Sequence, residues 1–424
     1  MVNLTIEVAG ITFKNPVLPA ASELVFDGAS GQRVADSGVG GIVTKTFTSS
    51  PEFRIRVRPY QFPLSRFDVA FRKSGSFYSL ASPHVEEMNV VMEKNIPEIA
   101  RVCQKKGIPL IVSFFEKPDE IAKWKRVAKG MEKAGAGMLE LNFSSPTMKG
   151  ELERSLKSSF QIVEAVAKSS NIPFGIKISP MMEPLVDAVR GWTQRGISFV
   201  TAHNAPSGIF VDVEKEVPYG APVIGGYLIG RPFLPVSLAR VIQILKAVDI
   251  PVFGVGGIST GNDALQYLLC GCSLVEVGTA AYMEGMGVFK KILQGILSWM
   301  GRKNYTSLSD FRGKALHKIT SSTELKAKEK SPFSLPPETP YVPKVDKKKC
   351  ILCQTCCRSC FYQVLHLERV KKVIAVEKNR CWSCGFCVGV CPEGAIVLVD
   401  RKTRKKKIWD GQGLALPFIK EVRS

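Results

Sequence analysis

Val252-Phe-Gly-Val-Gly-Gly257 and Leu274-Val-Glu-Val-Gly-Thr279 are two short apolar runs that close on glycine, with a helical pattern between them. Both are aliphatic on two faces, as a strand buried on both sides of a parallel sheet requires. Working outward, six more runs of the same kind precede them: Asn15-Pro-Val-Leu-Pro-Ala-Ala-Ser22, Gly41-Ile-Val-Thr-Lys-Thr46, Leu110-Ile-Val-Ser-Phe-Phe115, Met138-Leu-Glu-Leu-Asn-Phe143, Phe174-Gly-Ile-Lys-Ile-Ser179 and Phe199-Val-Thr-Ala-His-Asn204. Amphipathic stretches separate them, for example Asp119–Ala134, Pro184–Arg195 and Leu234–Val248. Eight alternating units predict a closed (β/α)8 TIM barrel. An open doubly wound sheet is the alternative, and near-equal units disfavour it.

The remaining chain is of another kind. Between Ser321 and Asp346 lie Pro332, Pro336, Pro337, Pro340 and Pro343 beside a Lys/Glu-rich stretch, which reads as a semi-rigid linker. The expected division is a barrel over 1–318, a linker over 319–345, a small α+β ferredoxin-like domain over 346–400 and a basic tail over 401–424. With 424 residues and 45% apolar content the chain can bury a large core. No run approaches 18 apolar residues, so no membrane span is expected and a cytoplasmic setting is.

Cys350-x2-Cys353-x2-Cys356-x3-Cys360 and Cys381-x2-Cys384-x2-Cys387-x3-Cys391-Pro392 repeat one spacing. It is the run that holds two [4Fe–4S] clusters, with the fourth cysteine of each run serving the other cluster. The expected sets are Cys350, Cys353, Cys356 and Cys391, then Cys381, Cys384, Cys387 and Cys360. Two four-cysteine zinc knuckles are the alternative, but these rarely carry the third cysteine and the trailing C-x3-C-P. Phe361, where proline would be usual, is one departure. Cys103, Cys270 and Cys272 read as buried small hydrophobes, and Cys357 as a spare thiol.

A barrel places its chemistry where strands end. Those ends carry Ala21 and Ser22, Lys45 and Thr46, Phe115, Asn142 and Ser145, Lys177, Asn204, Gly256 and Gly257, and Gly278 and Thr279. Phosphate commonly binds after strands 7 and 8, where glycines and helix N-termini can offer N–H groups to a dianion. Gly230 is counted with these cofactor-binding positions. Gly254-Val-Gly256-Gly257 lacks the third glycine and downstream acid of a nicotinamide fingerprint, so the phosphate fits flavin mononucleotide better. A flavin also converts two-electron chemistry into the single-electron steps that cubane clusters accept. Lys177 interrupts an apolar strand and would place positive charge near the flavin ring. Asn142 offers a donor and an acceptor. Ser145 is the candidate for proton transfer, or else merely closes its loop. His203 should face away from the site on strand 6. His84, His317 and His366 form no cluster.

Net charge is +20, and residues 341–424 hold 18 Lys and Arg against 7 Asp and Glu. This reads as a docking surface for an acidic redox partner or as a solvated tail. No recognition motif supports nucleic acid. Arg54, Arg56, Arg58, Arg66, Arg72 and Lys73, interleaved with aromatic residues, follow strand 2. They form either a packed loop with solvated arginines or a lid for a larger anionic substrate such as an acyl-CoA or carboxylate.

The barrel residues resemble the dihydroorotate and dihydropyrimidine dehydrogenase family over about residues 1–318. The resemblance is carried by Asn15-Pro16, Ala20-Ala21-Ser22, Thr44-Lys45-Thr46, Asn142-Phe-Ser-Ser-Pro146, Ile176-Lys177, His203-Asn204, Gly254–Asp263, Leu268–Gly271, Gly278-Thr-Ala280 and Tyr305–Gly313. It implies bound FMN and hydride transfer between flavin N5 and a CH–CH or C=C bond beside a carbonyl, with an acid/base on the opposite face. It implies Lys45, Asn142, Lys177 and Asn204 at flavin or substrate, with Asn142 and Asn204 on substrate. It also implies Gly256, Gly257, Gly278 and Thr279 at phosphate, and Ser145 in the acid/base place. The trailing cluster domain resembles pyrimidine-reducing members that exchange electrons with a flavoprotein or ferredoxin. Dimers or hetero-oligomers are common in the family. Several positions depart from its pattern: Ser145 in place of Cys, Thr147 in place of Asn, Ala205 in place of Ser or Thr, and Ser76-Phe-Tyr-Ser79 in place of Asn-Ser-x-Gly. These remove several pyrimidine-reading donors at once, which leaves the substrate open. An electron-transfer subunit that keeps FMN but performs no substrate chemistry is the second reading.

Overall fold

The computed structural model describes residues 2–54, 58–64, 76–80, 83–144, 156–220, 226–321, 335–404 and 406–412. The chain divides into two compact units, Met1–His317 and Lys318–Ser424.

The first unit is the barrel. Its strands are β1 (Val17–Pro19), β2 (Ile42–Val43), β3 (Leu110–Phe114), β4 (Met138–Asn142), β5 (Phe174–Lys177), β6 (Phe199–Ala202), β7 (Val252–Val255) and β8 (Leu274–Val277). They pair in parallel in the order β1–β8–β7–β6–β5–β4–β3–β2. Gly40 N–H donates to Val17 O at 2.9 Å across the remaining seam between β1 and β2. A Cβ on Gly40 would stand 1.9 Å from Asn15 O, so only glycine lets the chain turn there. Helices Gly28–Ala35, Ile96–Lys106, Ile121–Lys133, Leu156–Ala167, Leu185–Thr193, Leu234–Ala247, Gly261–Cys270 and Gly287–Lys303 follow the strands in turn.

Side-chain alternation sorts each strand. Leu139, Leu141, Ile176, Val200, Ala202, Val275 and Val277 face outward into the core shared with the helices. Leu18, Val43, Ile111, Met138, Phe199, Phe253 and Leu274 fill the barrel floor, where Phe199 and Phe253 stack at 4.4 Å. Each such side chain contributes about 1.5–3 kcal/mol by leaving water. Two residues further along the same strands come Ser113, Glu140, Thr201 and Glu276, all buried. The barrel interior therefore changes from apolar to polar halfway up.

The second unit is built on an antiparallel sheet of Tyr341–Val345, Ile396–Asp400 and Lys407–Trp409, with a separate hairpin of Leu365–Glu368 and Val373–Val376. Tyr341–Val345, assigned from its prolines to the linker, is thus a strand of this unit. It lies at the sheet edge, where Pro343 can be accommodated despite its missing N–H. Lys407–Trp409, assigned to the basic tail, is likewise a strand, because Ile408 and Trp409 pack on the unit's core. Two short helices, Thr355–Arg358 and Phe386–Gly389, occupy equivalent places in the repeated cysteine runs. Leu352 and Ser383, then Gln354 and Gly385, adopt left-handed φ at matching positions (57° and 58°, 59° and 79°). The sequence repeat is therefore a backbone repeat.

Candidate functional site

At the C-terminal rim of the barrel a chain of hydrogen bonds links four strand ends. Ser113 Oγ lies 3.0 Å from Thr46 Oγ1, and Asn142 Nδ2 donates to Thr46 Oγ1 at 3.0 Å. Asn142 Oδ1 accepts from Ser144 N at 3.1 Å and Ser144 Oγ at 2.6 Å. Asn204 Nδ2 reaches Ser144 O at 3.5 Å, and Asn204 Oδ1 accepts from Ala205 N at 2.9 Å. Neutral donors and acceptors joined this way hold the two asparagine amides at fixed angles. Ser22 turns back on Ala20 O at 2.8 Å beside Ala21, and Ala20 N donates to Val277 O at 2.9 Å.

Two lysines are buried at the rim. Lys45 Nζ is 3.0 Å from Glu23 Oε1, and Glu23 Oε2 accepts from Tyr282 OH at 2.9 Å. Burial pulls the Glu23 carboxyl upward, but the Lys45 charge and the bonds from Lys45 and Tyr282 hold it below its ordinary range. Lys177, opposite Asn142 in the β4–β5 ladder and Thr201 in the β5–β6 ladder, forms no ion pair among the described residues. Below it, both carboxylate oxygens of Glu140 and of Glu276 lack a hydrogen-bond partner among the described residues, as does Thr201 Oγ1. Burial, then the Glu140 charge, pushes the Glu276 carboxyl well above its ordinary range, with Lys177 opposing. His203 is buried with Nδ1 2.6 Å from Asn204 O and its ring edge-on to Phe233. Burial lowers it to about 4, and the Arg240 and Lys177 charges add to that, so it is neutral at pH 7.

After β7 the backbone at Gly256 and Gly257 is left-handed (φ 125° and 73°). A Cβ would sit 2.5 Å from Ser237 Oγ at the first and 2.8 Å from Leu234 N at the second. Tyr267 OH donates to Gly256 O at 2.7 Å and pins the turn. The helix beginning at Gly261 opens with a capping box in which Thr260 and Asp263 satisfy each other. Asp263 Oδ2 also accepts from Ser259 N, so N–H groups left for an anion belong to the glycine turn itself and to Gly278-Thr279-Ala280 after β8. Gly230, buried with φ 128°, precedes the turn Arg231–Phe233. This glycine cradle, the two asparagine amides and the buried Lys177 suit a phosphate-bearing, ring-shaped anionic cofactor. A flavin mononucleotide fits: the glycine ends would take its phosphate, and Lys177, Asn142 and Thr46 its ring.

In the second unit one cavity is lined by Cys350, Cys353, Cys356 and Cys391. Another is lined by Cys360, Cys381, Cys384 and Cys387. Val364 N–H points at Cys360 Sγ (3.3 Å) and Ala395 N–H at Cys391 Sγ (3.2 Å), equivalent bonds in the two halves. Among the described residues no three His, Cys, Asp or Glu side chains converge on a single-ion site. Burial and neighbouring thiols push Cys356 and Cys387 up to about 12, so loading this unit must displace protons. Cys103, Cys270 and Cys272 are buried in the barrel unit.

A family model described as dihydroorotate dehydrogenase matches residues 3–300, and one described as a 4Fe-4S dicluster domain matches residues 349–395. The chain belongs to the dihydroorotate dehydrogenase family. Among its curated relatives are proteins named dihydroorotate dehydrogenase B (NAD(+)), catalytic subunit. That of Methanocaldococcus jannaschii is 28% identical, covering 72% of this chain and 95% of the relative. That of Pyrococcus abyssi is 30% identical (74% and 99%), and that of Methanosarcina acetivorans 31% (74% and 95%). The family and the eight-stranded parallel sheet agree on a TIM barrel, here followed by an iron–sulfur domain.

Ser145 lies outside the described residues, as do Thr147, Arg56, Arg66, Arg72 and Lys73. Of the rim residues, the sequence reading missed Glu23, Tyr282 and Ser113, which no periodicity distinguishes from ordinary loop or strand positions. It also missed Glu140 and Glu276. These carried the same signal as Lys177, an ionisable residue inside an otherwise apolar strand. Ser76-Phe-Tyr-Ser79 contributes a strand, Phe77–Ser79, of a four-stranded antiparallel sheet with Gln61–Pro63, Gly226–Ile229 and Ser207–Gly208. Phe77 packs edge-on to Tyr282 at 5.4 Å, so this sheet abuts the Glu23–Lys45 pair. No helix among the described residues is long and apolar enough to cross a membrane.

Proposed function

We propose that this chain is an FMN-dependent oxidoreductase acting on a CH–CH or C=C bond next to a carbonyl, and that it exchanges electrons with a partner protein through two [4Fe–4S] clusters. The observation that carries the reading is Lys177. It is a cation buried inside the barrel mouth, with no ion pair among the described residues, beside Asn142 on the adjoining strand and on the same rim as the glycine turns after β7 and β8. Burying an unpaired ammonium is costly, and an anionic ring offsets that cost. When bound, the flavin would supply hydride transfer at N5 and single-electron exchange. The chain's own contribution is positional. Lys177 and Lys45 set the potential around the ring, and Asn142 and Asn204 orient ring and substrate. The turns at Gly256, Gly257, Gly278 and Thr279 hold the phosphate, with Ala21, Ser22, Thr46 and Gly230 along the same rim. Ser145 is assigned the proton at the substrate's second carbon.

The cysteine assignment rests on the two four-thiol cavities. The partner assignment rests on the relatives, which are named as catalytic subunits. The substrate is a small molecule, anionic if the arginine-bearing loop closes over it, and the setting is cytoplasmic. Anaerobic purification should give one FMN with about eight irons, the content of two cubanes. Iron without flavin, even after reconstitution, would remove the reaction centre. Lys177→Ala should lose flavin or its reduction. Ser145→Ala should slow the substrate half-reaction while sparing flavin–cluster exchange.

One observation favours a second reading, an FMN and iron–sulfur electron-transfer subunit without substrate chemistry. Phe77 stands where the family pattern has a serine, and it is buried. Flavin bleaching that depends on an added dihydropyrimidine or enoate separates the two.

A further inference from the structure

The second unit carries a groove of about 470 Å³ beside the first cysteine run. Its floor is apolar, with Val342, Val345, Ile374 and Val399 from three strands of the unit. Among the described residues five cations line it, Lys344, Lys347, Lys372, Lys378 and Arg404, and no acidic residue does. Two lysines outside the groove are paired, Lys371 with Glu368 at 2.7 Å and Lys407 with Asp410 at 2.7 Å. The five groove cations form no ion pair among the described residues. Like charges round one groove repel each other over a screening length of roughly 8 Å, so leaving them together unpaired costs stability. Cys350 also lines the groove, so whatever fills it lies against a thiol of the first cysteine set.

We propose that this groove docks the electron-exchange partner through an acidic segment that seats an apolar side chain on the valine–isoleucine floor and ranges its carboxylates against the five cations. The inference rests on the two-cluster reading and names the surface through which those clusters are addressed. A protein segment suits the groove better than a small anion. The cations come from four separate stretches of chain around an apolar floor, rather than converging with buried polar groups on one point. Apolar centre and charged rim are the anatomy of a protein interface. Contact at Cys350 gives the partner's electron its entry: one electron leaves the partner's reduced centre and enters the cluster held by Cys350, Cys353, Cys356 and Cys391, with no proton or bond exchanged.

The test uses the full-length, cluster-loaded protein and, as probe, a reduced acidic plant-type [2Fe–2S] ferredoxin, followed by anaerobic stopped-flow absorbance. Lys347→Glu/Lys372→Glu reverses two groove charges. Lys371→Glu/Lys407→Glu makes the same change in net charge outside it. The groove variant should lower the second-order rate about tenfold or more at low salt and flatten its salt dependence, while the control changes it little. Val345→Ser should raise the ferredoxin concentration needed for half-maximal rate without altering the salt slope. Equal effects of both double variants would show only bulk charge at work and overturn the proposal, as would no effect of either. Iron and sulfide content of every variant is measured alongside. Too little iron for two cubanes would refute the two-cluster reading itself, whereas full clusters with an inert groove would refute the groove alone.

Discussion

Replacing Glu276 by glutamine should alter how the barrel's stability depends on pH, and in a direction fixed by the structure. Glu276 is fully buried on β8, its oxygens have no hydrogen-bond donor among the described residues, and Glu140 is the largest influence after burial itself. Its carboxyl therefore stays protonated well above 4.5, the point at which the unfolded chain releases that proton. With the folded state holding one more proton than the unfolded state, stability falls as pH rises above about 4.5, by about 1.4 kcal/mol per pH unit, until the folded group itself ionises. Glutamine carries no such proton. Whatever the amide costs in packing or unmet hydrogen bonds is the same at every pH, so the informative quantity is the difference between variant and wild type as pH changes. As pH rises from about 5 to about 7 that difference should move in favour of Glu276→Gln, by at most about 1.4 kcal/mol per pH unit. Anaerobic urea denaturation followed by far-ultraviolet circular dichroism would measure it, since the long helices lie in the barrel unit. A difference that stays constant over this range would mean that Glu276 is ionised in the folded barrel, and the reasoning from burial would be wrong.

Three further outcomes follow from the same geometry. Gly257→Ala should destabilise the barrel by about 2 kcal/mol or more, because its φ of 73° disfavours a side chain and the new Cβ meets Leu234 backbone atoms that cannot swing aside; flavin content and the urea midpoint report it. Glu23→Gln should cost about 2 kcal/mol at neutral pH by removing the buried ion pair to Lys45, and that cost should shrink as pH falls from about 4.5 through the lowered value at which folded wild-type Glu23 takes up its proton; matched denaturation curves at neutral and acid pH check it. Cys391→Ser should remove the irons of the cluster that Cys350 serves, so adding Cys350→Ser loses no more iron, whereas adding Cys384→Ser empties the domain; iron and sulfide analysis distinguishes the pairs.

The fold was legible because a buried parallel strand announces itself as an apolar run, and all eight runs became barrel strands at the places they occupy in the sequence. The seam was not legible. That Gly40 must be glycine follows from Asn15 O lying against it, a contact between residues that no local pattern connects. Within the site, the residues that could be read were those whose chemistry clashes with their surroundings, such as Lys177 in an aliphatic strand or glycines where strands end. Glu140 and Glu276 show the same clash and could have been found by the same rule. Glu23 and Tyr282 could not, because each matters through a partner distant in sequence; Tyr282 meets Glu23 across 259 residues. The linker and tail were drawn too long for a related reason. Proline and lysine content suggests an exposed, unpaired chain, yet the edge strands Tyr341–Val345 and Lys407–Trp409 are paired and largely covered.

The ion pair of Lys45 bears on what the barrel can recognise. Lys45 and Lys177 read alike in the sequence, as two cations at strand ends, yet the fold treats them oppositely. Glu23 neutralises Lys45 within the chain, with Tyr282 and, behind it, Phe77 packing that pair in place. Lys177 has no such partner, and its only described acidic neighbour on β8 is a carboxyl held protonated by burial. Positive potential in the mouth is therefore concentrated on the β5 side, next to Asn142 and Asn204, and reduced on the β1–β2 side. A site arranged this way stabilises one anionic ring over Lys177. It supplies little further charge of its own to a substrate carboxylate lying toward β2. Selectivity for an anionic substrate is then expected from the chain after β2, where Arg54 and Arg58 flank Arg56 and precede Arg66 and Arg72. Charge reversal at Arg58 should accordingly raise KM for an anionic substrate and leave flavin occupancy unchanged, whereas Lys177→Ala should do the reverse.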